Sequence, residues 1–290
     1  MGKRGVLLLL ILCCAACNTS EERTTARRTE PFARVYEYTP APGQFINEPV
    51  SGYDGVTTPA AACAYAEKRL RAGMYVSLGG WGGYLVAGFA EPVENSGGYD
   101  LLIGGNSFDR SSEPGVVWVM RDDNGNGLPD DRWYQLRGSR FAASLQNHEV
   151  TYTRPSADDR PVAWRDGRGA SGRIERVAEH VQPSYWPAWI DGPERTYAGV
   201  LLPDNVELVG EVWVPGPFEW GYADNFSRTD LASGANRLRI ADAVEPDGTP
   251  VHLDRIDFVK VQTGINRQVP LIGEISTEVC SIRCYRTLND

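Results

Sequence analysis

Gly115–Leu136, GVVWVMRDDNGNGLPDDRWYQL, decides the fold. Val116, Val117, Trp118, Val119 and Met120 form an unbroken apolar run of strand formers, and Arg132–Leu136 reads as its return. Between them stand Asp122, Asn124, Asn126, Gly127, Leu128, Asp130 and Asp131. Short oxygen-bearing side chains at alternate positions can converge on one hard cation while the backbone curls around it. Gly127 permits the bend, and the Leu128 carbonyl adds a donor. With Asp122 as the first position of an EF-hand loop, the third, fifth and ninth are Asn124, Asn126 and Asp130, and the sixth is Gly127. The twelfth is Trp133, where a bidentate Glu belongs, and the flanks are strands. The stretch therefore reads as a calcium-type loop set into a sheet, with its missing ligand supplied from elsewhere. Glu113, just before the first strand, is the expected donor. The competing reading is a polar hairpin whose Asp and Asn side chains satisfy their own turn.

Working outward, strand upon strand flanks this hairpin. Arg34–Tyr38, Met74–Leu78, Tyr84–Phe89, Tyr99–Ile103 and His148–Thr153 are apolar runs bounded by Gly, Pro and Asn. Val200–Leu202, Glu211–Val214, Arg237–Ile240, Ile256–Gln262 and Val269–Val279 continue the pattern. Such short strands with turn punctuation indicate an all-β, jelly-roll-like β-sandwich with one short helix and long decorated loops. The helix opens with Thr58 as N-cap and Pro59 at the first helical position, runs through Tyr65, Ala66 and Leu70, and stops at Gly73. Arg154–Ala170, charged and Pro-containing, reads as a surface loop. There is no internal repeat and no long linker beyond Pro31, so 32–290 is expected to be a single domain.

The 29 Lys and Arg against 38 Asp and Glu give a formal charge of −9, which argues against a nucleic-acid partner or an anionic membrane surface. The first residues are an address. Lys3 and Arg4 precede the apolar run Val6–Leu12, and then comes Cys14-Ala15-Ala16-Cys17. This predicts a lipoprotein signal peptide over 1–16, lipidation of Cys17 and membrane attachment through that anchor. The polar stretch 17–31 reads as a disordered tether. Of the 6 cysteines, Cys63, Cys280 and Cys284 then remain, enough for at most one disulfide.

Two constellations could carry function. Trp186, Trp189, Trp213, Trp220 and Tyr222 lie near Pro and Gly, with Asp224 and Asn225 beside them. Flat rings with polar neighbours make a platform for a sugar or another large planar ligand. The competing reading is that the rings close the ends of the sandwich. Asp224 and Asn225, with Glu274, Ser276 and Glu278, form the second group. The alternation in Glu274–Glu278 places both Glu residues on one strand face as ligands, as an acid/base pair or as a solvated edge. The 3 histidines, His148, His180 and His252, have no paired metal spacing, and there is no nucleophile elbow or phosphate loop. Glycoside hydrolysis by a carboxylate pair drawn from Glu211, Glu219, Glu274 and Glu278 is the enzymatic alternative. A structural or adhesive surface protein is the other.

Several segments resemble a family of bacterial surface lipoproteins common in Bacteroidetes. They are Val35–Asn47, Gly105-Asn106-Ser107-Phe108, Ser112-Glu113-Pro114-Gly115 and Asp123–Tyr134, with Trp220–Asn225, Phe258–Val261 and Gly273–Glu278. The resemblance covers roughly 33–279. Some related lipoproteins are associated with outer-membrane corrinoid uptake and bind cobalamin at the cell surface. It implies an outer-membrane, surface-exposed protein that captures a nutrient, a corrinoid or a glycan, and passes it to a TonB-dependent transporter.

Overall fold

A computed structural model describes residues 27–287, and the expected signal peptide and Cys17 lie outside them. The described residues form an all-β sandwich with one α-helix. Its largest sheet has six antiparallel strands in the order Ala243–Val244, Tyr134–Leu136, Gly115–Met120, Arg255–Thr263, Tyr84–Glu94 and Arg34–Thr39. Gly115–Met120 pairs with Arg255–Thr263 from Gly115 opposite Thr263 to Met120 opposite Phe258. Both faces of this strand are covered, which is why it reads as a continuous apolar run. Val117 and Val119 join the main core on one face, while Val116 joins Phe218, Tyr222, Ile265 and Ile275 on the other.

A five-stranded sheet runs Arg27–Pro31, Ser281–Thr287, Leu101–Gly104, Ala235–Leu238 and Leu231–Ala232. Leu101, Ile103, Ile282 and Leu238 face the main core from this side. A four-stranded sheet, Ser171–Ile174, Val162–Asp166, Leu145–Thr153 and Glu194–Leu201, adds Val150, Tyr152, Val162 and Tyr197 to it.

The helix, Pro59–Arg71, begins as the sequence indicates, with the Ala61 N–H donating to Thr58 Oγ1 at 3.2 Å. Ala62, Ala66 and Leu70, four residues apart, form its buried stripe. Small alanines let the helix lie close against the strand Arg34–Thr39.

Two expectations of the sequence fail. The tether was to reach residue 31, but Arg27–Pro31 is an edge strand paired with Ser281–Thr287. Its partner is more than 250 residues away, so nothing local announces it, and Glu30 there accepts from Arg286 Nε at 3.0 Å. The loop expected at 154–170 contains the strand Val162–Asp166, where buried Val162 and half-buried Trp164 alternate with exposed Ala163 and Arg165. Its surrounding charges and prolines hide that period. Cys63, Cys280 and Cys284 are free thiols.

Candidate functional site

The hairpin loop after Met120 is exposed and organised by its own carboxylates. Gly125 N–H donates to Asp122 Oδ1 at 2.7 Å, and Gly127 N–H donates to Asp122 Oδ2 at 2.8 Å. Asn126 N–H reaches Asn124 Oδ1 at 2.9 Å, and Leu128 N–H reaches Asn126 Oδ1 at 2.8 Å. Asp131 Oδ2 accepts from Asp123 N–H at 2.9 Å. Asp130 accepts from the Asn126 and Asn124 side-chain amides, and these bonds, Asn126 first, hold its carboxyl below the usual range. An ionised carboxylate has about four acceptor sites, so Asp122, Asp130 and Asp131 keep lone pairs to spare.

Glu113 is not part of this loop. The strand Gly115–Met120 separates them by about 20 Å at about 3.3 Å per residue. The carboxylate that does meet the loop is Asp257, whose Oδ2 accepts the Asp122 N–H at 2.8 Å. Sequence reasoning missed it because it arrives on the neighbouring strand Arg255–Thr263, more than 120 residues on.

Glu113 instead meets Asp224 and Glu278, with one carboxylate oxygen from each lying within 4.8 Å of the others. Three segments converge to do this. Gly115 and Ala223 exchange backbone hydrogen bonds at 3.0 Å, and Glu113 N–H donates to the Asp224 carbonyl at 3.1 Å. Glu278 pairs with Ser77, and its N–H donates to Asp224 Oδ2 at 2.9 Å. Asp224 Oδ1 accepts from the N–H groups of Asn106 and Ser107 at 3.0 and 2.9 Å. Asp224 sits at φ +50°, in the left-handed region. Gly105 packs so closely that a Cβ there would lie 2.7 Å from Asp224 Cα.

Electrostatically this cluster is unbalanced. None of the ion pairs among the described residues involves Glu113, Asp224, Glu274 or Glu278. Burial, and then the charge of Glu278, pushes the carboxyls of Glu113 and Asp224 well above the usual range. Burial also raises Glu278, and lifts nearby Glu274 to about 8. Such groups hold protons or a cation, and the residue types suit a hard oxygen-seeking ion.

The aromatic residues do not assemble into one platform. Trp186 and Trp189 are core, with their indole N–H groups donating to the carbonyls of Ile190 at 2.9 Å and Tyr38 at 3.1 Å. Tyr222 is also buried, its hydroxyl accepting the Arg140 N–H at 3.0 Å. Asn225 closes its own loop by exchanging hydrogen bonds with the Phe218 backbone at 2.8 and 2.9 Å. Trp213 is half-buried on the hairpin Val206–Pro215, and half-buried Trp220 rims a cavity of about 230 Å³. Large rings are taken into the core because they carry much of the available apolar area.

A larger cleft, of about 750 Å³, lies where the helix leaves the strand Arg34–Thr39. Tyr36, Glu37, Tyr84, Trp189 and Arg195 line it, with Cys63 and Glu67 from the helix. Tyr84 Oη donates to Glu37 Oε2 at 2.8 Å, and burial followed by that carboxylate pushes the phenol up to about 12. The Arg34 guanidinium lies 4.9 Å from the centre of the Tyr36 ring. Of the rings expected to meet ligand, only Trp189 reaches this cleft. No helix among the described residues is long and apolar enough to cross a membrane. No protein-family model matches the chain, and neither does any curated protein.

Proposed function

We propose that the chain is a lipid-anchored surface protein whose sandwich, braced by calcium, captures a nutrient for uptake. The observation that carries this reading is the cleft beside the helix. Its volume of about 750 Å³ falls within the range of about 300–1,000 Å³ usual for small-ligand sites. Tyr36, Tyr84 and Trp189 line it with aromatic surface, while Arg34, Glu37 and Arg195 offer donors and acceptors at the rim. A glycan or the rim of a corrinoid, each combining a broad face with many polar groups, fits that chemistry. Calcium is assigned to Asp122, Asn124, Asn126, Leu128, Asp130 and Asp131, with Asp257 in place of Glu113. The anchor at Cys17 and hand-over to a TonB-dependent outer-membrane transporter rest on the N-terminal sequence and on the family resemblance.

Hydrolysis is the weaker reading. Glu274 and Glu278 are each 1% exposed, out of reach of a polysaccharide, while Glu211 and Glu219 are exposed residues of surface turns. Calorimetric titration with cobalamin and a panel of oligosaccharides tests the proposal. Saturable binding of one of them is expected. Flat isotherms across the panel would leave the structural or adhesive reading standing.

A further inference from the structure

We propose that Glu113, Asp224 and Glu278 bind a second divalent cation, calcium, inside the sandwich. This goes beyond the reading above. It concerns other residues, at the opposite end of the strand Gly115–Met120 from the hairpin ion, and it needs no ligand in the cleft.

The three carboxylates approach one another as ligands of one ion do. Two oxygens on opposite sides of a calcium ion are separated by about 4.8 Å, twice its usual bond length, and the three donor atoms lie within that span. A second observation points independently to something missing. Glu278 is 1% exposed, and its Oε1 accepts from Ser276 Oγ at 2.7 Å. Its Oε2 is fully buried and receives no well-formed hydrogen bond, although the Glu113, Ser77 and Asn106 side chains stand close enough to stabilise the carboxylate. A buried carboxylate oxygen left without donor or cation costs several kcal/mol in order of magnitude, and folds do not retain that cost at a convergence of three acids without compensation. No Lys, Arg or His among the described residues pairs with these acids. A proton can bridge only two of these carboxylates, whereas a cation from solution can neutralise all three at once.

Other oxygens lie close by. Ser276, Thr277 and the Glu113 carbonyl, which accepts from Thr277 Oγ1 at 2.8 Å, stand alongside. The Cys280 thiol feels the charges of Asp224 and Glu278 but is not among the donors lying within 4.8 Å of one another, which are all carboxylates and do not favour zinc or copper. Asp224 is already oriented, its Oδ1 held by the Asn106 and Ser107 amides and its Oδ2 by the Glu278 amide. Bound there, the ion would tie the entry to the central strand, the Asp224 turn and the chain leading to Ser281–Thr287. Those segments are far apart in sequence, so the ion acts as a cross-link among them.

Equilibrium dialysis of the full chain with calcium, after stripping with chelator, tests this. Glu278→Gln and Glu113→Gln are each expected to lose one equivalent of calcium relative to the wild type. Asp122→Ala, which addresses only the hairpin, is expected to keep that equivalent. Unchanged stoichiometry in both glutamine variants would overturn the site, whatever happens at the hairpin. Magnesium at equal concentration is expected to leave the calcium bound, and displacement would contradict the choice of ion. Should the variants fail to fold, crystals of the wild type grown with manganese decide the matter. An anomalous peak among the three carboxylates supports the site, and a map with no peak there overturns it.

Discussion

Glu274 shows how much a single buried acid can control. Its Oε1 accepts the Gln44 N–H at 2.7 Å, while burial raises its carboxyl to about 8. The folded chain thus holds a proton that the unfolded chain releases near 4.5. This contribution is complete below about pH 4.5 and is lost as pH rises through about 8. A shift of this size amounts to about 5 kcal/mol. Glu274→Gln stays neutral and keeps an acceptor for Gln44. Denaturation in the presence of chelator should show the variant gaining on the wild type between pH 5 and 8, and parallel profiles would refute the assignment. At the hairpin, Asp122→Ala and chelator are each expected to lower the melting temperature. A site filled at 100 times its dissociation constant is worth about 2.7 kcal/mol. If neither treatment moves the transition, the loop holds no ion and is a self-satisfied turn.

At the scale of elements, what the sequence disclosed depended on how local the cause was. The helix was legible because its signals, Thr58, Pro59 and Gly73, lie within its own turns. Replacing Thr58 by Ala removes the bond to the Ala61 amide and should cost about 1 kcal/mol, measurable by denaturant titration. No change would mean that the cap contributes nothing. The strand Gly115–Met120 was legible for a related reason, since burial on both faces leaves an unbroken apolar run. The edge strand Arg27–Pro31 was not, because the strand it pairs with lies at the other end of the chain. Tryptophan positions were equally opaque. Trp186 and Trp189 sit among Pro and Gly like exposed loop residues, and only the tertiary fold shows that the Ile190 and Tyr38 carbonyls receive their N–H groups.

Across the whole molecule, the chemistry that sequence spacing can express is the hairpin, and the chemistry it cannot express is everything built by topology. Asp224 and Glu278 were visible as acids near the end of the chain, but their convergence with Glu113 depends on the Gly115–Ala223 bridge and the pairing of Glu278 with Ser77. The cleft has the same origin. Tyr36, Tyr84 and Arg195 come from three separate strands, and the helix supplies the opposite wall. The central claim is that this cleft holds the nutrient. The most direct test is to compare the affinity of the ligand found by titration across Tyr36→Ala, Arg195→Ala and Trp220→Ala. The account predicts at least about tenfold weaker binding, about 1.4 kcal/mol, for the first two and no change for the third. Unaltered affinity in both cleft variants, with loss in Trp220→Ala, would contradict it.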